Sequence, residues 1–174
     1  MSDVCQSFQY KHWWVFRSKQ TLWGEFLKAK YCQRSNPVSK KWDTGESQAW
    51  RHMMRNKHKV ETHIHWKINS GSCSFWWDNW LGIGPLAQYS IKSNRFNTET
   101  VSDFMEGGQW NMEKILQQAP QAYVHNILPV QLQLLLGIDD QPVWSLNASG
   151  EFTCTSAWNV IREQRSKTKF NTYN

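Results

Sequence analysis

The stretch Trp66-Lys-Ile-Asn-Ser-Gly-Ser-Cys-Ser-Phe-Trp-Trp-Asp-Asn-Trp-Leu-Gly82 decides the predicted fold, because four of its residues are tryptophan and one is phenylalanine. Aromatic side chains at this density are costly to expose, and they fit a half-buried pleated surface. Residues 64–68 alternate with period 2, and residues 74–77 follow after a turn signal at 69–71. We therefore predict a β-hairpin whose aromatic side chains pack against the preceding helix.

Helix signals lie on both sides of this hairpin. Thr21 and Ser47 are typical N-caps, each followed by apolar residues at helical spacing. Lys57 falls within the apolar stripe of the second helix and would have to extend its ammonium group to the surface. Shorter helices are predicted after the capping-box sequence at 100–103 and at residues 111–120 and 123–128.

The C-terminal third has its own strand signals. Residues 130–134 alternate, and residues 142–146 and 151–154 flank a turn, which predicts a second hairpin. Thr155 is expected to cap a last helix. No β-α-β rhythm is present, so the predicted class is α+β: short helices with two β-hairpins in a single compact domain with loose termini. The loose ends are placed at residues 1–11 and in a disordered tail at residues 166–174.

Composition limits the functions that the chain can have. Its 174 residues are 40% hydrophobic and 20% charged, which argues against general disorder. Residues 1–70 contain 13 Lys or Arg and 5 Asp or Glu, a net charge of +8, whereas residues 71–174 contain 7 and 9, a net charge of −2. This asymmetry indicates either a polyanionic partner for the first half or a solvated basic surface.

The sequence lacks the patterns that direct a protein into a membrane or out of the cell. The sequence has no apolar run of membrane-spanning length and no secretory or transit-peptide pattern. Its four cysteines are widely spread, without a C-x-x-C pair, so neither a zinc site nor a disulfide framework is predicted. We expect an intracellular protein, with nucleus and cytoplasm left open, and no membrane partner.

Catalytic patterns are missing. The sequence has no Gly-rich phosphate loop and no G-x-S-x-G elbow. Asp139-Asp140 is its only adjacent acidic pair, and a turn is favoured over a metal site there. His63, His65 and Cys73 match no familiar zinc spacing. We therefore expect no enzyme activity, no metal, no cofactor and no small-molecule substrate.

Two sets of residues allow contact with nucleic acid. The first is the basic flank of the second helix, formed by Arg51, Arg55, His58 and Lys59, for which phosphate contact and plain solvation are the alternatives. The second set is three tryptophans that either stack nucleobases or form core: Trp76, Trp77 and Trp80. Asp78 between them is expected to be a turn-forming residue that accepts from nearby backbone amides, rather than a ligand or base.

Motifs in a fixed order carry a family resemblance over residues 12–162. The N-terminal ones are Trp13-Trp14-x-Phe-Arg17, Leu22-Trp23-x-x-Phe26, Lys28-Ala-Lys-Tyr-Cys32, Ser47-x-x-Trp50 and Ile64-x-Trp66. The later ones are Gly71, Phe75-Trp-Trp-Asp-Asn-Trp-Leu-Gly82, Gly84-Pro-Leu86, Trp110-Asn111, Trp144, Ser149-Gly-Glu-Phe-Thr153 and Ser156-Ala-Trp158. Together they resemble plant non-LTR (LINE-type) retrotransposon polyproteins. The structural signature of the resemblance is Trp66, Gly71, Phe75, Trp76, Trp77, Asp78 and Trp80.

The resemblance implies a place within such a polyprotein. Residues 12–146 resemble the connector downstream of the reverse transcriptase, and residues 147–165 resemble the start of the reverse-transcriptase zinc-binding domain. The polymerase aspartates and the Cys and His zinc ligands of the family have no counterpart here, so neither activity carries over. The resemblance therefore predicts a truncated, non-enzymatic retrotransposon-derived protein with at most residual affinity for RNA or single-stranded DNA. The alternative is an interaction scaffold whose aromatic surfaces dock to neighbouring domains.

Overall fold

The fold combines six α-helices and four short strands in the residues that a computed structural model describes, namely 3–33, 35–90, 98–132 and 137–171, with side chains up to residue 164. The helices are α1 (Asp3–Ser18), α2 (Leu22–Tyr31), α3 (Gln48–Glu61), α4 (Met112–Gln118), α5 (Val124–Ile127) and α6 (Cys154–Asn171). The strands are β1 (Ile64–Lys67), β2 (Met105–Glu106), β3 (Gln109–Trp110) and β4 (Gln141–Trp144). The predicted α+β class is confirmed.

The first hydrophobic cluster lies where α1 packs against α3 and α6. Helix α1 contributes Tyr10, Trp13 and Phe16, all fully buried, and α3 contributes Trp50. Residues 3–11, which the sequence predicted as part of a loose end, belong to α1, because this helix begins at Asp3. Its first residues are mostly polar, and its apolar side can be recognised only when the whole helix is considered.

Strand β1 pairs with β4 in antiparallel fashion, with Ile64 opposite Trp144. This pairing replaces both predicted hairpins. Residues 74–77 form no strand, and Ser74 makes only an isolated bridge with Thr100. Residues 151–153 form no strand either, because the Trp144 amide donates to the Gly150 carbonyl and the chain turns directly into α6.

The turn after β1 is shaped by a carboxylate from a distant part of the chain. Asp140 accepts hydrogen bonds from the backbone N–H groups of Asn69, Ser70, Gly71 and Cys73, at 2.6, 2.8, 3.0 and 2.7 Å. Gly71 adopts a positive φ of 77°, which glycine tolerates without a Cβ penalty. These amides therefore satisfy Asp140 instead of starting a hairpin.

The second hydrophobic cluster contains the aromatic signature. Phe75, Trp76 and Trp80 pack with residues from 101–127, and the rings of Phe75 and Phe104 stack with centroids 3.7 Å apart. The prediction that these aromatics pack against the preceding helix is wrong. Strands β2 and β3, of two residues each, form a hairpin that turns at residues 107–108, whereas the sequence predicted only a short helix after residues 100–103.

Most local signals at helix starts are confirmed. The side chains of Thr21, Ser47 and Asn111 cap α2, α3 and α4. The Thr100 amide donates to the Asp103 carboxylate at 2.8 Å, which begins a short 3₁₀ turn. The cap of the last helix is Thr153 rather than Thr155, since the Thr153 hydroxyl accepts from the Ser156 amide at 3.1 Å.

Two further predictions fall near the C-terminus. Helix α6 continues to Asn171, so the predicted disordered tail is helical over residues 166–171. Residues 130–132 form no strand, and residues 133–134 lie outside the described part of the chain.

Candidate nucleic-acid interface

Helix α3 supplies the first wall of the candidate site. Its N-cap, Ser47, accepts from the Trp50 amide, and Trp50 and Met53 are buried in the first cluster. Burial of this side of the helix leaves Arg55 and His58 exposed on the opposite side. The helical period thus accounts for the exposure of both side chains beside the buried stripe of α3.

The second wall is the connection before α3, and Lys57 holds it in place. Lys57 is only 4% exposed, and its ammonium group donates to the carbonyl oxygens of Val38, at 2.8 Å, and Lys40. It does not extend to the surface as predicted. Two carbonyl acceptors satisfy the buried ammonium and fix residues 38–40 above α3.

A cavity of about 340 Å³ lies between these walls. Among the described residues, every ionisable group that lines it is basic and none is a carboxylate. These lining residues are Lys40, Lys41, Trp42, Arg51, Met54, Arg55, Lys57 and His58. A concave surface with one sign of charge concentrates its field on a ligand of the opposite charge.

Trp42 provides the aromatic part of the cavity. The guanidinium carbon of Arg51 lies 4.5 Å from the centroid of the Trp42 ring, a cation–π contact that holds the arginine at the rim. The Trp42 indole N–H is buried and has no hydrogen-bond partner among the described residues. Trp42 is not among the contact residues predicted from the sequence, although Lys40-Lys41-Trp42 combines two cations with an aromatic side chain.

Charge in the cavity depends on burial. Burial lowers the pKa of Lys57 to about 8, so its ammonium form still dominates at pH 7. Burial, and then the neighbouring Lys57 charge, also lower the pKa of His58 below its usual value. His58 is therefore largely neutral at pH 7 and offers a hydrogen bond rather than a charge.

The four predicted contact residues separate in the structure. Arg51, Arg55 and His58 come together at the cavity, whereas Lys59 is exposed but does not line it. Lys40 is partly neutralised by Glu46, with the two charged groups 3.0 Å apart. The uncompensated positive charge at the cavity therefore comes mainly from the two arginines and Lys41.

A second cavity continues from the first past His58. It measures about 390 Å³, and its other lining residues include Thr62, Asn79 and Gln88. Its lining also includes the Glu61 carboxylate, which is 6% exposed and paired with Arg17, so the space beyond His58 is polar but not basic.

The signature tryptophans are placed mainly for packing. Trp76 is fully buried and Trp80 is 9% exposed, so neither presents a ring face for a base, while Trp77 is partly buried. The Trp80 N–H donates to the Phe75 carbonyl at 2.9 Å. Trp66 is partly buried and packs against both hydrophobic clusters.

Asp78 belongs to a buried ionic cluster. As predicted, one of its oxygens accepts from a nearby backbone amide, that of Ser74, at 2.7 Å. Its other oxygen accepts from Arg17, whose Nε atom also donates to Glu61 at 2.8 Å. Burial lowers the pKa of Arg17, but the two carboxylates outweigh this, and the net direction is upward. Burial raises the pKa of Glu61 against the opposing effect of Arg17.

The described residues contain no group of three or more His, Cys, Asp or Glu side chains arranged to hold a metal ion. The His63 ring contacts Trp144 edge-on, at 5.7 Å between centroids. Burial raises the pKa of the Cys73 thiol, which disfavours the thiolate that would bind a metal. Asp140 holds the turn after β1, while Asp139 is exposed.

No helix in the described ranges is both long and apolar enough to cross a membrane. Comparison of the chain with models of protein families, with curated proteins and with solved structures finds no match. The resemblance to LINE-type polyproteins thus remains a prediction from the sequence motifs. The function is therefore inferred from the geometry of the basic cavity.

Proposed function

We propose that this protein binds single-stranded nucleic acid, either RNA or single-stranded DNA, at the basic cavity between α3 and residues 40–42. The observation that carries the proposal is the convergence of Arg51, Arg55 and Lys41 around Trp42, with no carboxylate among the lining residues that the structure describes. Phosphates are the polyanionic ligands that such a cluster attracts most strongly. The site contributes binding and orientation rather than chemistry.

The size of the cavity favours a flexible single strand over a duplex. At about 340 Å³, the basic cavity has room for an individual nucleotide unit rather than for the side of a rigid helix. Single-strand binders combine cations that follow the backbone with aromatic rings on which bases stack. Trp42 is the aromatic side chain in position for this, beside the Arg51 guanidinium.

The family context fits the same proposal. We propose that the chain derives from the connector of a LINE-type polyprotein, in which an RNA template and a DNA product would pass close to the polymerase. The signature Trp66–Gly82 then serves the architecture, since its ring systems are largely core. Residual affinity for the strand would reside on α3.

Fluorescence anisotropy with a labelled 12-nucleotide RNA and the matching DNA tests this function. Three or four phosphate contacts predict a slope of log K against log salt of about −2 to −3 for single strands. A duplex of the same sequence should bind more weakly at equal salt. Absence of binding at low salt, or affinity that salt does not change, would contradict the proposal.

A second candidate function is docking to another protein, and exposed aromatic residues support it. Phe8 is 50% exposed, Trp23 42% and Phe26 59%, all on α1 and α2. Apolar surface of this kind marks interaction sites when it is contiguous. Sedimentation velocity tests it in general terms: association with itself or with a partner protein supports docking, while a monodisperse monomer that binds no protein contradicts it.

A further inference from the structure

A groove runs along the outer side of α1. Its cavity measures about 730 Å³ and is bordered by all three N-terminal helices. The residues that matter for its chemistry are Phe8, Lys11, His12, Trp23, His52 and Met53. This groove lies apart from the basic cavity, since the two share none of their described lining residues.

The lining residues of α1 follow a helical period. Phe8, His12 and Val15 are spaced at i, i+4 and i+7 and therefore lie on one side of the helix. From Cys5 to Val15 the groove runs about 15 Å, at 1.5 Å per residue. That length corresponds to about three turns of a bound helix, whose side chains at i, i+3, i+4 and i+7 would enter an apolar groove.

The floor of the groove is apolar and its rim is basic. Phe8, Val15 and Met53 provide hydrocarbon, and the Trp23 and His12 rings lie 6.1 Å apart at the opening. Lys11, His12 and His52 are exposed, and none of the described lining residues is a carboxylate. Asp3, two residues before Cys5, is half-buried and Glu25 on α2 is exposed, and neither is among the described lining residues.

These features select one kind of occupant. We infer that the groove binds an acidic amphipathic helix of a partner protein, with leucine-like side chains on the floor and carboxylates facing Lys11, His12 and His52. A second copy of this chain would bring a net charge of +6, counted with histidine neutral, and the same Lys11 at its rim, which repels. A nucleic-acid strand would leave the hydrocarbon floor unused. The inference rests on the docking function proposed above and adds its site and its partner's chemistry.

The test uses the full chain and a fluorescein-labelled peptide of about 14 residues, a length of three to four helical turns. The peptide carries Leu at i, i+3, i+4 and i+7 with Glu at the exposed positions, and a second peptide carries Lys in place of every Glu. Anisotropy should show the acidic peptide binding and the basic peptide binding at least about tenfold more weakly.

Variants locate the site. Phe8→Ser removes a floor residue that is 50% exposed, and Lys11→Glu reverses a rim charge; each should weaken the acidic peptide about tenfold. Leu22→Ser is the matched control, because Leu22 is 88% exposed on α2 and does not line the groove. Circular dichroism should give the same spectrum and melting curve for all three variants.

Several outcomes would overturn the inference. Equal binding of both peptides, or unchanged binding to Phe8→Ser, would do so. Peptide binding or self-association that depends on Leu22 but not on Phe8 would leave docking intact and place it elsewhere. Self-association lost in Phe8→Ser would assign the groove to a second copy. A monomer that binds neither peptide would contradict the docking function and the groove together.

Discussion

Arg17 on α1 donates a hydrogen bond from Nη2 to Oδ1 of Asp78, a residue 61 positions further along the chain. The same guanidinium donates to Glu61 on α3, and all three side chains are about 6% exposed. The guanidinium also lies 5.3 Å from the centroid of the Trp66 ring. One cation thus joins α1, α3 and the aromatic signature, and connects the two hydrophobic clusters.

Replacement of Arg17 by Met should destabilise the protein strongly. It leaves the Glu61 and Asp78 carboxylates buried without their cation, and loss of one partner of a buried ion pair costs about 3–5 kcal/mol. Urea unfolding followed by circular dichroism measures the change. The loss of unfolding free energy relative to wild type should become smaller towards pH 4, because protonation of the two carboxylates removes the unpaired charges.

Lys19→Met is the matched control for this prediction. Lys19 is 53% exposed and its ammonium group lies 3.8 Å from Glu151, a surface pair that contributes about 0–1 kcal/mol. An equal loss in both variants, or a deficit in Arg17→Met that does not depend on pH, would show that the ionic cluster does not join the two parts of the core.

Asp140→Ala should also be severe, whereas Asp139→Ala should have little effect. The first change removes the acceptor of four backbone N–H groups, and each buried donor left unpaired costs about 1–3 kcal/mol. Asp139 is exposed, and only its backbone carbonyl accepts from Asn69. Similar free energies of unfolding for the two variants would contradict this account of the turn.

The pH dependence of the Asp140 contribution has a definite sign. Burial raises the pKa of Asp140, but the backbone amides of Asn69, Cys73 and Gly71 outweigh it, and the net direction is downward. A carboxylate with a depressed folded-state pKa contributes stability that is present above the unfolded pKa and lost as the pH falls through the folded one. The difference in the free energy of unfolding between wild type and Asp140→Ala should therefore stay constant from pH 7 to 5 and become smaller only in stronger acid.

Local signals predicted helix starts, because both partners of a cap lie within three residues of each other. Thr21 and Ser47 are examples. The strand partners could not be predicted in this way: β1 pairs with β4, far along the chain, and the amides after β1 bind Asp140. A turn signal at 69–71 describes a bend, but not which distant group will satisfy its amides.

In the candidate site too, the local features could be predicted from the sequence and the contacts between distant residues could not. The helical period placed Arg51, Arg55 and His58 on one side of α3, and the structure brings them to one cavity. The period also grouped Lys59 with them, although the connection bends over only part of that side. Residues 40–42 were missed because their position depends on Lys57, and no pattern relates a buried ammonium to two carbonyls 17 and 19 residues away.

Lys57→Met should alter the pH dependence of stability in the alkaline range. Burial lowers the pKa of Lys57 to about 8, well below its value in the unfolded chain. Between pH 8 and 10 the unfolded state therefore binds more protons at this site, and the Lys57 contribution to the free energy of unfolding rises with pH. Over that interval, the free energy of unfolding of wild type should increase relative to that of Lys57→Met. Curves of unfolding free energy against pH that run parallel for the two proteins would show that the ammonium is not desolvated.

Arg55→Ala and Lys59→Ala form a matched pair for the proposed nucleic-acid site. Both residues are exposed basic residues on α3, but only Arg55 lines the cavity. Loss of one phosphate contact should weaken single-stranded RNA binding and make the salt slope shallower by about 0.7, whereas Lys59→Ala should leave the slope unchanged. Anisotropy titrations at several salt concentrations measure both slopes. Equal changes in the two variants would indicate a diffuse basic surface, and the cavity would then lose its assigned role.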